Sequence, residues 1–301
     1  MENDKIIFHV NGGIGKNIAA TAVIKAIKKK YDLPITVVTG WSEMFKIDPN
    51  VEKVYKFGST QYFYEDYIKR GNPIIFAQEP YLSTQHIVER KPLRQSWIEM
   101  LGMEFDNEMP ELHFNFRHHQ LIEQNYQRDK PTIVIHSNGG AVDPEGKRVY
   151  SWARDMPHNL VQRLVDRLKN KYHIFQICYN QKQLAKGAEV VQGLTEMEAF
   201  ALVKQSKGRI LIDSCIQHAC GAMNLPSTVL WIGNDPKIWS YEMHDHITPC
   251  IEPKFNAPAN DLYQRYDIAG STDEYPYDTD EIFDIEAIIS SVEKQINQSG
   301  T

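Results

Sequence analysis

Residues 208–236, GRILIDSCIQHACGAMNLPSTVLWIGNDP, set how the rest of the chain is read. Arg209-Ile210-Leu211-Ile212 is an apolar, β-branched run, long enough for a buried strand and too short for a helix. Asp213-Ser214 then supplies a helix N-cap, in which a side-chain oxygen accepts from N–H groups left open in the first turn. Ile216, Ala219, Cys220 and Met223 share one helical face, which Asn224 and Pro226 bring to an end. Thr228-Val229-Leu230-Trp231-Ile232 reads as the next strand, and Gly233-Asn234-Asp235-Pro236 as a loop at its carboxyl end. Strand, helix and strand in this order point to a parallel α/β sheet. Ligands of such sheets sit at the carboxyl edge of the strands, and a helix N-terminus there favours phosphate.

A chain of 301 residues is long for one core and suits two domains. Hydrophobic residues at 42% and charged residues at 24% give a globular balance. The formal net charge of -6 argues against an electrostatic coat for duplex nucleic acid, although a local basic patch is compatible with it. Cys178, Cys215, Cys220 and Cys250 show no CxxC spacing and read as reduced thiols of a cytoplasmic protein. No apolar run reaches about 18 residues, and acidic residues precede the first strand, so neither a membrane span nor a signal peptide is expected.

Residues 5–10 predict a strand, and Asn11-Gly12-Gly13-Ile14-Gly15-Lys16-Asn17 a glycine-rich turn. An amphipathic helix over 18–30 follows, with a lysine-rich end that suits the helix dipole, then a strand over 34–39. The glycines of this unit let the backbone approach a ligand closely. The apolar run 73–77 predicts another strand, which puts Glu79 at the same carboxyl edge as the glycine turn. Residues 83–112 predict a helix carrying His86, Arg90, Lys91 and Arg94. The polar stretch 120–130 marks a boundary that divides the chain into domains 1–125 and 126–301. Beyond it come a strand over 132–136, a small-residue turn His136-Ser137-Asn138-Gly139-Gly140, the cations Lys147, Arg148 and Arg154, and a helix over 158–169. A strand over 172–179 and a helix with Thr195 and Glu198 as a capping box lead back to the opening stretch. The acidic, tyrosine-rich residues 272–284 read as a surface loop before the last helix.

Asp213-Ser214-Cys215-Ile216-Gln217-His218, then Leu225-Pro226, then Asn234-Asp235-Pro236, resemble the donor-site segment of the ADP-heptose type glycosyltransferases. This is the heptosyltransferase family of the GT-B superfamily. Residues 47–54, Ile-Asp-Pro-Asn-Val-Glu-Lys-Val, are similar to that family's Asn-Pro-x-Val-Asp-x-Val stretch, and the resemblance is continuous from 132 to 239. It implies an α/β chain of two Rossmann-like domains facing a central cleft, of GT-B type. The first domain would take the acceptor, a saccharide or another hydroxyl-bearing molecule, and the second a nucleotide-diphospho-sugar. The implied reaction is inverting and metal-independent: the acceptor hydroxyl displaces the nucleoside diphosphate at the anomeric carbon. The nucleotide-sugar is a co-substrate, and no separate cofactor is expected.

On that resemblance the donor side comprises Arg154 (with Lys147 as its fallback), Asp213, Ser214, Cys215, Gln217, His218, Asn234 and Asp235, with Trp239 bordering the base or sugar. A diphosphate needs cationic or N–H donors because its charge grows as the sugar leaves. Glu196 or Glu198 would hold a ribose, or merely cap its helix. Gly12, Gly13 and Gly15 form the acceptor-side loop. The chain departs from the family twice. Cys215 stands where the family has Gly. Lys16 stands where the family has the carboxylate that acts as base, a role a lysine takes only if burial or positive charge lowers its pKa. Glu79 is the substitute base, and His86 a weaker one.

Other readings stay open. Gly12-Gly13-Ile14-Gly15-Lys16-Asn17 also resembles the shortened phosphate loop of ParA-type ATPases, although Asn17 lacks the hydroxyl that binds magnesium. Lys16 and Cys215 also fit a non-catalytic nucleotide-sugar or glycan binder on the same fold. A nucleobase in nucleic acid remains open as acceptor. His244-Asp245-His246 suggests a metal, but H-x-H alone is not a ligand set.

Overall fold

A computed structural model describes residues 3–140, 145, 151–178, 183–254 and 275–298. The chain divides into two compact units, Met1–Phe116 with Gly221–Met223, and Arg117–Cys220 with Asn224–Thr301. Lys147, Arg148, Tyr179 and residues 272–274 lie outside the described residues.

In the first unit, β1 (Ile6–Val10), β2 (Ile35–Thr39), β3 (Lys53–Lys56) and β4 (Ile74–Phe76) form a wholly parallel sheet in the order β3-β2-β1-β4. The strand order reverses at β1, so the turn after it lies at a topological switch point. Alternation along β1 buries Ile6, Phe8 and Val10 on one face and turns Ile7 and His9 to the other. α1 (Ile14–Tyr31) begins earlier than residue 18, because Asn17 N already bonds to Gly13 O at 3.2 Å. Lys28, Lys29 and Lys30 fill its last turn, where positive charge meets the helix carbonyls.

Residues 83–112 do not form one helix. α2 (Thr84–Ile87) and α3 (Leu93–Met100) are separated by Arg90 at φ 54° and by Pro92, which caps α3 and cannot continue a preceding helix. Trp97 of α3 meets Phe8 of β1, with ring centroids 5.3 Å apart. This contact and Trp97's complete burial anchor the short helix that the broken pattern leaves.

The second unit carries a six-stranded parallel sheet. α4 (Phe116–Tyr126) leads into β5 (Thr132–His136), α5 (His158–Leu168), β6 (His173–Ile177), β7 (Glu189–Val190) and α6 (Glu196–Gln205). Then come β8 (Gly208–Ile212), α7 (Cys215–Ala222), β9 (Thr228–Leu230), α8 (Pro236–Trp239), β10 (Asp245–Ile247) and α9 (Ile285–Gln298). The order β10-β9-β8-β5-β6-β7 places the switch at β5 and β8, the two strands that precede the small-residue turn and the Asp213-Ser214 cap. Ile133, Ile135, Ile210 and Ile212 form one core with Leu160 and Leu164 of α5 and Val292 of α9. Each such side chain contributes about 1.5–3 kcal/mol by leaving water, which holds these strand ends in register. The capping box on α6 forms as expected: Glu198 accepts from Thr195 N at 2.7 Å, and Thr195 Oγ1 from Glu198 N at 3.4 Å.

None of the four cysteines is in a disulfide. Among the described residues, no helix is long and apolar enough to cross a membrane.

Candidate functional site

Three strand ends of the second unit meet at one carboxyl edge. Asp213, just past β8, is buried; its carboxylate accepts from Asn234 Nδ2 and lies 3.8 Å from Arg154 Nε. Burial pushes its pKa up, against the opposing pull of Arg154 and Asn234. Arg154 keeps 28% of its side chain exposed while it is paired to the buried acid. Ser214 Oγ accepts from Ile216 N at 3.2 Å and lies 2.8 Å from His136 Nδ1. Burial drives the His136 pKa down to about 4, leaving a neutral ring whose Nδ1 can accept the serine proton.

Asp155 clamps the turn after β5. One carboxylate oxygen accepts from Gly139 N at 2.6 Å, and the other from Ser151 N at 3.0 Å and Asn138 Nδ2 at 3.2 Å. Gly233 N donates to Ala153 O at 2.8 Å and ties the end of β9 to the residue before Arg154. That approach requires glycine: a Cβ on Gly233 would stand 2.7 Å from both the carbonyl oxygen and the Cβ of Ala153. The assembled edge presents a tethered guanidinium, a serine hydroxyl and the first turn of α7. Guanidinium, hydroxyl and helix N–H groups are the kinds of donor that an anion requires.

Gln217, His218 and Asp235, also expected on the donor side, bond to neighbouring elements of the second unit. Buried Gln217 donates to Trp239 O at 2.9 Å, and its own backbone oxygen lies 3.2 Å from His244 Nε2. His218 Nδ1 lies 3.0 Å from the Tyr241 hydroxyl, and Asp235 caps α8 by accepting from Lys237 N at 2.9 Å. Gln217 thereby ties α7 to α8, and His218 ties α7 to the segment after α8. Cys215 is half-buried as the first residue of α7, and Trp239 is buried. His246 packs edge-on against Trp231, 5.9 Å between centroids.

In the first unit the glycine turn meets Glu79. Lys16 Nζ donates to both carboxylate oxygens of Glu79 at 2.7 Å and to Asn11 Oδ1 at 2.5 Å. It also lies over the rings of Tyr81 and Trp97, 5.2 and 5.3 Å from their centroids. Desolvation lowers the Lys16 pKa, while the bond to Glu79 raises it. Gly12, at φ 84°, has a left-handed backbone that favours glycine, and a Cβ there would sit 3.1 Å from Lys16 Cδ. Gly13 is the N-cap of α1, and Gly15 lies in its first turn. Glu79 also caps the turn that follows by accepting from Tyr81 N at 3.3 Å. His86 is buried, with Nδ1 3.2 Å from Lys91 O, and Lys91 is paired to Glu89 and Glu99 at 2.7 Å each.

No protein-family model and no curated protein sequence matches this chain. Solved structures do. A glycosyl transferase family 9 protein from Veillonella parvula superposes with a TM-score of 0.69 at 14% identity, covering 99% of both chains. The ADP-heptose lipopolysaccharide heptosyltransferase II of E. coli gives 0.64 at 12% identity, covering 99% of this chain and 100% of that one. The E. coli heptosyltransferase WaaC with ADP gives 0.59 at 10% identity, covering 97% and 99%. The fold is GT-B. Its two parallel α/β units match the two Rossmann-like domains that the resemblance implies. Two residues that the sequence does not single out, His136 and Asp155, also bond at this edge. A polar residue closing the apolar strand Thr-Ile-Val-Ile-His and an acid directly after Arg154 were the available signals.

Proposed function

We propose that the chain is a glycosyltransferase that takes a nucleoside-diphospho-sugar on the carboxyl edge of its second sheet. The observation that carries this reading is the convergence of Arg154, Ser214 and the first turn of α7 around a buried Asp213. Asp213 is itself an anion and repels a diphosphate, so its task is to hold Arg154 and Asn234. Arg154, the Ser214 hydroxyl and the α7 N–H groups then meet the charge that grows on the leaving nucleoside diphosphate. These protein donors do the work a metal ion does elsewhere, and the transfer inverts the anomeric carbon. The acceptor oxygen forms the new bond to that carbon as its bond to the diphosphate breaks, and the departing diphosphate keeps the electron pair.

The first unit supplies the acceptor side. Glu79 takes the acceptor's proton, and Lys16 holds the carboxylate in place rather than acting as base. One nitrogen bonded to both carboxylate oxygens fixes the orientation of Glu79, while 30% of its side chain stays exposed and open to an acceptor.

Release of nucleoside diphosphate from a panel of nucleotide-sugars, with chelator present, tests the proposal. Glu79→Gln is expected to lower turnover by about 10²–10⁴-fold while nucleotide-sugar binding persists. Donor binding by the wild type with no turnover on any acceptor would sink the catalytic reading and favour a nucleotide-sugar binder.

A further inference from the structure

The first sheet leaves part of one face uncovered. Ile6, Phe8 and Val10 are buried on one side of β1, but on the other Ile75 of β4 is 50% exposed and Phe57, just after β3, is 39% exposed. A parallel sheet normally has both faces covered. Here the second face opens as a pocket of 470 Å³, the size of a small-molecule site. His9, at the end of β1, Phe57, Thr60 and Phe63 after β3, and Ile75 of β4 line it with Val38. His9, Phe57 and Thr60 therefore bring it to the carboxyl edge that also carries the glycine turn and Glu79.

The lining selects its occupant. Among the described residues, no Lys, Arg, Asp or Glu lines the pocket, so an anionic or cationic ligand would be desolvated there without a partner in its lining. A monosaccharide fails for a related reason. It carries a hydroxyl on nearly every carbon, whereas the lining side chains offer only the His9 imidazole and the Thr60 hydroxyl as partners. Aromatic rings suit the walls: the His9 and Phe57 rings lie 4.9 Å apart, and Phe63 is backed by Tyr67 stacked at 4.9 Å. His9 is half-buried, and both desolvation and the Lys16 charge lower its pKa, so near neutral pH it offers one donor and one acceptor nitrogen.

We infer that this pocket binds an uncharged aromatic ring bearing a hydroxyl, a phenol-type compound, with His9 as the hydrogen-bond partner of that hydroxyl. Its role as the acceptor site rests on the glycosyltransferase reading above; the binding itself does not.

The test is a titration of the full chain with naphthol, naphthalene and glucose in the absence of nucleotide, followed by tryptophan fluorescence and calorimetry. Saturable naphthol binding is expected, about tenfold or more tighter than naphthalene, with none for glucose at equal concentration. His9→Leu should erase the preference for naphthol over naphthalene and leave naphthalene affinity in place. Ile75→Arg, at a half-exposed position that tolerates charge, should abolish binding of both. Glucose binding without naphthol binding overturns the proposal, as does a naphthol preference that survives His9→Leu. Nucleotide-sugars are titrated into the same samples to separate the two ideas. Naphthol binding without nucleotide-sugar binding leaves the pocket standing and removes the transferase reading; the reverse removes the pocket alone.

Discussion

Replacing Glu79 with alanine is expected to destabilise the protein by about 3–5 kcal/mol, and replacing Lys16 with methionine by about 1 kcal/mol or less. The asymmetry follows from burial. The Lys16 side chain is 1% exposed and that of Glu79 30%. Without Glu79 the ammonium is left in the interior with Asn11 and two ring faces, and a buried charge without its partner is costly. Without Lys16 the carboxylate turns to water, and the methionine stem still packs on Tyr81 and Trp97. Glu79→Gln should fall between, because it keeps an acceptor for Lys16 and for Tyr81 N. The deficit of Glu79→Ala should also shrink as pH rises. The folded Lys16 pKa lies below its ordinary 10.5, so in the window between the two values the unfolded chain binds more protons, and stability there increases with pH. Chemical denaturation at pH 7 and pH 9.5 reads both effects. A Lys16→Met variant less stable than Glu79→Ala would refute the pairing argument.

Gly233→Ala should weaken binding of the nucleoside diphosphate at least tenfold. The added methyl group meets the backbone of Ala153, which cannot swing aside as a side chain does, so β9 and the Arg154 segment must part. Arg154 and Asn234, the two groups that meet on Asp213, are the neighbours of the displaced residues. Gly208→Ala provides the control. Its methyl would stand 2.7 Å from Val292 Cγ2 and 3.2 Å from Ile133 Cγ1, at the opposite end of β8. Overpacking of either kind costs about 1–3 kcal/mol. Stability loss in both variants with affinity lost only in Gly233→Ala is the expected pattern; equal affinity loss in both variants would mean that the effect is general destabilisation.

Much of this architecture was legible in the sequence where the signal is local. The run Arg-Ile-Leu-Ile, the Asp-Ser cap and the Leu-Pro stop sit within a few residues of one another, and each acts on its own neighbours. The same holds for the Thr195–Glu198 capping box. Glu79 was placed at the right edge because strand ends follow from apolar runs, yet its bond to Lys16 spans 63 residues of chain and leaves no local trace. Asp155 was missed for a similar reason: its three bonds go to backbone and amide groups that any sequence supplies. The single helix expected over 83–112 divides in two because Pro92 cannot continue it and Arg90 takes a left-handed backbone that its sequence does not announce. The pocket beside His9 was invisible because it depends on what fails to cover a sheet face.

Calorimetric titration of the wild type and Arg154→Ala with ADP, UDP, GDP and their sugars, in chelator, tests the central claim most directly. The account predicts metal-free binding of one nucleoside diphosphate and its sugar, weakened by about 10–100-fold in Arg154→Ala. Binding only of ATP with magnesium, abolished by Lys16→Ala and indifferent to Arg154, would contradict it and assign the glycine turn to a phosphate-loop ATPase instead.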